Sequence, residues 1–177
     1  MKTMGLTRLY LVGPKSFPHS DATALAVGAR DLLEGASICS TLDEALIGTV
    51  FSVAATARHR DLSHHTMTPR RVADAFLEKA NGGDVAIVFG PERTGLTIDD
   101  ATKCNVISTI PCNPDYSSLN LAQAVQVFTY ELKVMCSEGV ISCLTEKSIE
   151  RATHEEIEGL MSHFEKVLID VEFLNLS

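Results

Sequence analysis

The 177-residue chain contains no apolar run near the roughly 18 residues that a membrane-crossing helix needs, so no transmembrane segment is expected. Its start, MKTMGLTRLYLVGP, does not make a signal peptide, because Arg8 interrupts the apolar stretch and no small-residue cleavage site follows. The five cysteines (Cys39, Cys104, Cys112, Cys136, Cys143) are odd in number and include no C-x-x-C pair. That pattern points to a reduced, cytoplasmic protein with incidental thiols rather than a disulfide framework, and no metal site is expected. The dinucleotide fingerprint G-x-G-x-x-G and the P-loop are both absent, which disfavours a Rossmann dehydrogenase or an NTPase. Internal repeats and low-complexity tracts are missing too.

Basic residues are also scarce, 15 Lys and Arg against 23 Asp and Glu, for a net charge of −8. The deficit is uneven. Up to Leu132 the chain holds 11 basic and 14 acidic residues, a balance of −3, and from Lys133 onward 4 and 9, a balance of −5. Between Arg58 and Arg71 the sign reverses: Arg58, Arg60, Arg70 and Arg71 are set against Asp61 alone, with His59, His64 and His65 interleaved. Exposed charges more than about 10 Å apart are largely screened, so a local basic loop can meet phosphates on an acidic protein. A solvated loop with no ligand has the same composition.

What remains is an ordinary globular composition, 45% hydrophobic and 21% charged, of a length that suits one domain with a short appendage. Short strands are expected at Arg8–Val12 and Ser37–Ser40, and continuous apolar strands at Val50–Ala55, Val85–Phe89 and Val106–Ile110, as in the buried middle of a parallel sheet. Between them, Met1–Met4 ends a helix at Gly5, Ser20 caps a helix through ATALAVGARDLL, and Thr41 with Glu44 has capping-box spacing before Gly48. Thr68 and Pro69 take the N-cap and N1 positions of a helix to Ala80, and Thr97 caps a short one. Strand and helix alternating over short connections give an α/β fold, a parallel sheet with helices on both faces.

A long helix from Ser118 to about Met135 carries Leu121, Ala124, Val125, Phe128 and Leu132 on more than one face, so burial on two sides is expected, by the sheet and by a partner subunit or the C-terminal segment. Residues 137–152 show no periodicity and read as a linker. Thr153 and Glu156 form a second capping box opening a helix with Ile157, Leu160, Met161, Phe164, Leu168 and Val171 on one stripe.

Two loops carry the chemistry. FGPERTGL at Phe89–Leu96 follows a strand, needs Gly90 and Gly95 for backbone close approach, and sets Glu92 at a pocket rim. Alone it is a weak signal, since glycine turns after strands are common. Ile110–Glu131, IPCNPDYSSLNLAQAVQVFTYE, is more specific: Ser117 and Ser118 lie at the expected helix start, where hydroxyls and free N–H groups converge, and Asn120 is one turn in. Loops at the C-terminal ends of neighbouring parallel strands are where open α/β sheets take ligands.

These two segments resemble the second and third motifs of the SPOUT RNA methyltransferases, in the SpoU/TrmH-like class, and most closely the TrmJ-like group of tRNA ribose 2′-O-methyltransferases. A-T-A-R-H-R-x-L with T-P-R-R downstream is similar to the loop bordering that group's cofactor site. The resemblance implies a trefoil-knotted methyltransferase domain over residues 1–136, acting as a homodimer, with 153–177 as the start of a shortened helical extension. It implies S-adenosylmethionine held by Ala55, Thr56 and Ala57, by the loop at Gly90, and by Ile110, Ser117, Ser118 and Leu119. Ser118, Asn120 and Glu92 would organise the target ribose and the catalytic arginine, and Arg58, Arg60, Arg70 and Arg71 would contact tRNA, with nucleotide 32 of the anticodon loop as target.

In that group the arginine belongs to a first motif, N-x-G-x-x-x-R, that occurs nowhere in these 177 residues; in relatives it ends just before the counterpart of M-K-T-M-G-L. The expectation is a chain lacking its first strand and first motif upstream, nearly inactive as it stands, and an active enzyme once they are restored. The alternative is a non-catalytic fragment that dimerises and binds cofactor and RNA without turnover.

Overall fold

The computed structural model describes residues 1–57, 66–138 and 152–173. Six strands and seven α-helices occur among them: β1 (Tyr10–Val12), α1 (Ser20–Ala26), α2 (Arg30–Glu34), β2 (Ser37–Cys39), α3 (Leu42–Ala45), β3 (Thr49–Ala55), β4 (Thr66–Met67), α4 (Pro69–Lys79), β5 (Asp84–Phe89), α5 (Ile98–Thr102), β6 (Val106–Ser108), α6 (Leu121–Glu138) and α7 (His154–Asp170). Four strands make one parallel sheet in the order β4-β6-β3-β5, and β1 and β2 pair in parallel as a separate ribbon.

β3 occupies an interior position in the sheet, and its residues from Thr49 to Ala54 are all buried, which is why the strand is mostly apolar on both faces. Alternate residues of a strand point to opposite faces. Val53 and Val106 join Val72 and Phe76 of α4 and Phe128 of α6 on one side, while Ala54 and Ile107 join Leu96, Ala101 and Cys104 around α5 on the other. Helices therefore cover both faces. Edge-to-face ring pairs, Phe51–Phe76 at 5.9 Å and Phe89–Phe128 at 5.5 Å, tie the helices to the sheet on the first side.

Several local expectations need correcting. The helix expected through ATALAVGARDLL is broken, because Val27 adopts φ 43° and separates α1 from α2, and its N-cap is His19, whose ring nitrogen accepts from the Asp21 amide, rather than Ser20. Glu44 does not complete a capping box on Thr41: its carboxylate accepts the Ser40 amide instead, at 2.6 Å. Thr66–Met67, unassigned in the sequence, is a short edge strand beside β6.

α6 begins at Leu121, three residues later than expected. Asn120 is the cap: its Oδ1 accepts the Ala122 amide at 2.8 Å, and its carbonyl accepts from Ala124. Ser117 and Ser118 thus belong to the approach loop. A short polar side chain that can accept from the backbone two residues on is favoured at this position, and Asn does so as well as Ser.

α7 starts as its capping box requires, with Thr153 and Glu156 exchanging side-chain and backbone hydrogen bonds. Its first turn is anchored. His154 is buried, and the Glu155 carboxylate accepts the Gly48 amide with both oxygens at 2.9 Å. Beyond that turn its apolar stripe is open, with Leu160, Met161, Phe164 and Val171 all more than half exposed.

Candidate functional site

The C-terminal ends of β3, β5 and β6 release their chains on the same edge of the sheet, and the three loops that follow enclose one cleft with a cavity of about 270 Å³. Ala55, Thr56 and Ala57 line it from the end of β3, and Gly90 and Glu92 from the loop after β5. Ile110, Ser117, Ser118 and Leu119 line it from the segment between β6 and α6. Every residue placed around a cofactor in the sequence therefore borders a single space. Asn120 lies just outside it and joins it through a hydrogen bond, Nδ2 donating to Glu92 Oε1 at 2.6 Å.

Strand geometry fixes the floor. The Thr56 amide donates to the Ser108 carbonyl at 3.0 Å, which continues the β3–β6 ladder one step past the strand. Ser108, fully buried, donates its hydroxyl to the Met67 carbonyl and faces the cleft. Nothing in the pattern of residues marks Ser108 beyond its place at a strand end. Below it Asn105 Oδ1 accepts from both the amide and the hydroxyl of Ser52, so β6 is pinned to β3 by side chain as well as backbone.

The wall formed by the loop after β5 depends on a backbone approach that no side chain would permit. A Cβ on Gly90 would sit 2.2 Å from the Gly95 carbonyl carbon and from the Leu96 amide nitrogen. Gly95 itself has φ 66°, in the left-handed region, and its amide closes the turn on the Pro91 carbonyl at 2.7 Å. Leu96 is then buried on the α5 side of the sheet.

Glu92 and Arg93 are the charged side chains among the described residues that line the cleft. The remainder is backbone, small side chains, hydroxyls, the aliphatic Ile110, Leu119 and Leu121, and the Phe89 and Phe128 rings, plus the half-buried Cys112. Such a lining suits a ligand held mainly through backbone amides and carbonyls, with polar groups at the mouth setting orientation. Among the described residues no cluster of three metal-ligating side chains occurs.

The residues expected to meet RNA divide. Arg58 and Arg60 fall outside the described residues. Arg70 and Arg71 are exposed on the first turn of α4, and Arg70 Nη1 lies 3.5 Å from Glu131 on α6, a link between the two helices.

A second cavity lies under the start of α7, bordered by Asp43, Ile47, His154 and Glu158. Lys103 donates to Asp43 Oδ2 at 2.5 Å, and this hydrogen bond holds the carboxylate below its usual range. His154 Nε2 and Asp43 Oδ1 are 3.5 Å apart, both atoms are buried, and neither has a closer hydrogen-bond partner. The group joins α7 to the domain and lies apart from the cleft.

Residues 1–130 match the model of the SpoU rRNA Methylase family. A tRNA (cytidine/uridine-2′-O-)-methyltransferase TrmJ from Yersinia enterocolitica is 42% identical over 177 residues, covering 98% of this chain and 69% of that protein. A tRNA (cytidine/uridine/adenosine-2′-O-)-methyltransferase TrmJ from Pseudomonas aeruginosa is 41% identical over 185 residues, covering 99% and 72%. The crystal structure of TrmJ from Z. mobilis ZM4 superposes with a TM-score of 0.84 at 35% identity, over 98% of this chain and 72% of that one. A parallel sheet that gathers both glycine-rich and serine-rich loops into one cleft accords with these likenesses, and the chain belongs to the SpoU rRNA Methylase family.

Proposed function

We propose that the cleft binds S-adenosylmethionine and presents its methyl group to a ribose 2′-hydroxyl of tRNA, at cytidine or uridine 32 of the anticodon loop. The observation that carries this reading is the convergence of three loops on one cleft in a chain 42% identical to tRNA 2′-O-methyltransferases. The residues present fit that cofactor. Backbone groups of Gly90, Ile110 and Leu119 border the space where a purine and ribose would lie, and the close Gly90–Gly95 approach leaves the wall free of side chains there. When bound, the cofactor supplies an electrophilic sulfonium methyl.

The chain's own residues then align the acceptor. Displacement at a methyl carbon is in-line, so the ribose oxygen must be held on the far side of the methyl from sulfur, and such positioning is worth several kcal/mol of barrier, up to about 7–11. Ser118 presents a hydroxyl to the ribose at the cleft mouth. Asn120 fixes the Glu92 carboxylate, and Glu92 in turn orients a cationic partner or the ribose itself. A positioned base that takes the ribose proton is worth roughly 10²–10⁴-fold.

The same reading has residues 1–136 as a trefoil-knotted domain, 137–152 as a linker and 153–177 as the start of a helical extension. It has the protein as a cytoplasmic homodimer that covers the outer face of α6, where Tyr130 is 54% exposed, with Arg58, Arg60, Arg70 and Arg71 meeting tRNA phosphates. The competing reading is a module that binds cofactor and RNA without turnover. Calorimetric titration with S-adenosylmethionine, followed by labelled methyl transfer to unmodified tRNA, separates the two. Binding without any methylated nucleoside favours the module, and no binding heat at millimolar ligand by folded protein sinks both.

A further inference from the structure

Resting on the proposed function, we propose that Tyr116 is the platform on which the acceptor nucleotide's base stacks while its ribose enters the cleft. Tyr116 is 80% exposed, more than any other exposed aromatic side chain among the described residues. Single exposed apolar groups are ordinary on protein surfaces. This one differs in where it is and how it is held.

Ser117 and Ser118, the next two residues, line the cleft. Adjacent Cα atoms are about 3.8 Å apart, so the Tyr116 backbone lies within roughly 7 Å of the serine proposed to face the ribose. A base is joined to C1′, the neighbour of C2′, so a ribose delivered to Ser118 brings its base close to the segment that carries Tyr116, next in the chain to the lining serines though not itself a lining residue. The backbone there is fixed by a tight turn: the Tyr116 amide donates to the Asn113 carbonyl at 3.0 Å, and the Asp115 amide donates to Asn113 Oδ1 at 3.0 Å. On the cleft side the loop is pinned by Asn120 to Glu92. Tyr10, by contrast, is already engaged by Arg8, which donates to its hydroxyl and lies 5.7 Å from its ring centroid.

An acceptor nucleotide must leave its stack for its 2′-hydroxyl to enter a cleft, and proteins that hold unstacked bases give them an aromatic face. Base–aromatic stacking is tolerant of base identity, because every base has a π-face, so Tyr116 sets affinity rather than the choice of nucleotide.

Tyr116→Ala and Tyr116→Phe, measured for tRNA binding by filter retention and for steady-state methyl transfer, test the proposal. A base–aromatic stack contributes roughly 1–3 kcal/mol, which converts to a weakening of about 5- to 150-fold. The expected result is that Ala raises Kd and KM for tRNA by that factor with kcat and S-adenosylmethionine affinity unchanged, because the stack is present before and during transfer. Phe keeps wild-type values. Unchanged tRNA affinity in the Ala variant overturns the proposal, as do equal losses in Ala and Phe, which assign the role to the hydroxyl. Loss of tRNA binding together with a change from dimer to monomer overturns it in favour of a subunit contact. A wild-type protein that neither binds nor methylates tRNA removes the proposed function first, and the platform with it.

Discussion

The amide of Asn120 donates to the Glu92 carboxylate at 2.6 Å, and through this one hydrogen bond the loop after β5 is tied to the start of α6. Asn120 has a second duty as the cap of that helix, accepting the Ala122 amide on its other side-chain atom. The two roles can be separated by substitution. Asn120→Ala removes both, and loss of an N-cap costs about 1 kcal/mol. Asn120→Asp keeps the capping oxygen but opposes two carboxylates. Asp should therefore melt nearer to wild type than Ala while losing at least as much methyl-transfer rate. Thermal melting beside single-turnover assays checks this, and an Asp variant with wild-type turnover would show that the link is structural only.

Gly90→Ala should be severe. Its Cβ would fall 2.2 Å from two backbone atoms of the facing strand of the loop, neither of which can rotate away. Overpacking of this kind costs about 1–3 kcal/mol, roughly 2 °C or more in melting temperature for a chain of this size. S-adenosylmethionine binding should be weakened along with it. A variant that folds and titrates like wild type would contradict the close approach itself.

The cysteines offer a probe of the cleft without mutation. Burial pushes the Cys104 thiol up to about 11 and Cys39 also upward, so neither should alkylate in the native protein, whereas the exposed Cys136 should. Cys112 lines the cleft and is half-buried, so it should alkylate slowly, and more slowly still with S-adenosylmethionine bound. Mass spectrometry of iodoacetamide-treated protein reads Cys39, Cys104, Cys112 and Cys136 separately. Equal Cys112 labelling with and without cofactor would indicate that the ligand lies elsewhere.

Much of this site was legible because glycine, proline and serine spacing in FGPERTGL and NPDYSSLN states where the backbone must turn, and turns after parallel strands are where such sheets bind ligands. The start of α6 was not legible. Ser117, Ser118 and Asn120 are all competent caps, and only the pull of Glu92 on the asparagine side chain, across 28 residues of sequence, goes with the choice of Asn120. The break at Val27 escaped for a similar reason, since helix propensity over ATALAVGARDLL is high and a valine at positive φ is among the least favoured conformations. Ser108 and the edge strand Thr66–Met67 are legible only through the contact between them, which runs over 41 residues.

The anchorage of α7 should depend on pH. The hydrogen bond from Lys103 holds Asp43 below the usual carboxylate range, and the Gly48 amide does the same for Glu155. A depressed folded-state value contributes stability that is complete above the unfolded carboxylate value and is lost as pH falls through the folded one. Amide exchange in α7 should therefore accelerate as pH is lowered below about 4, after correction for intrinsic rates. Asp43 is half-buried and Glu155 is exposed, so solvent screens much of the effect and it is small. Asp43→Asn should flatten part of that dependence, and an unchanged profile would remove Asp43 from the anchor.

The central claim is methyl transfer to a ribose oxygen. Its most direct test is incubation of the protein with methyl-labelled S-adenosylmethionine and unmodified tRNA, followed by alkaline hydrolysis and nucleoside analysis. A 2′-O-methyl group blocks alkaline cleavage, so the account places the label in alkali-stable dinucleotides that yield 2′-O-methylcytidine or 2′-O-methyluridine. Label recovered in alkali-labile nucleotides as a base-methylated nucleoside would contradict it.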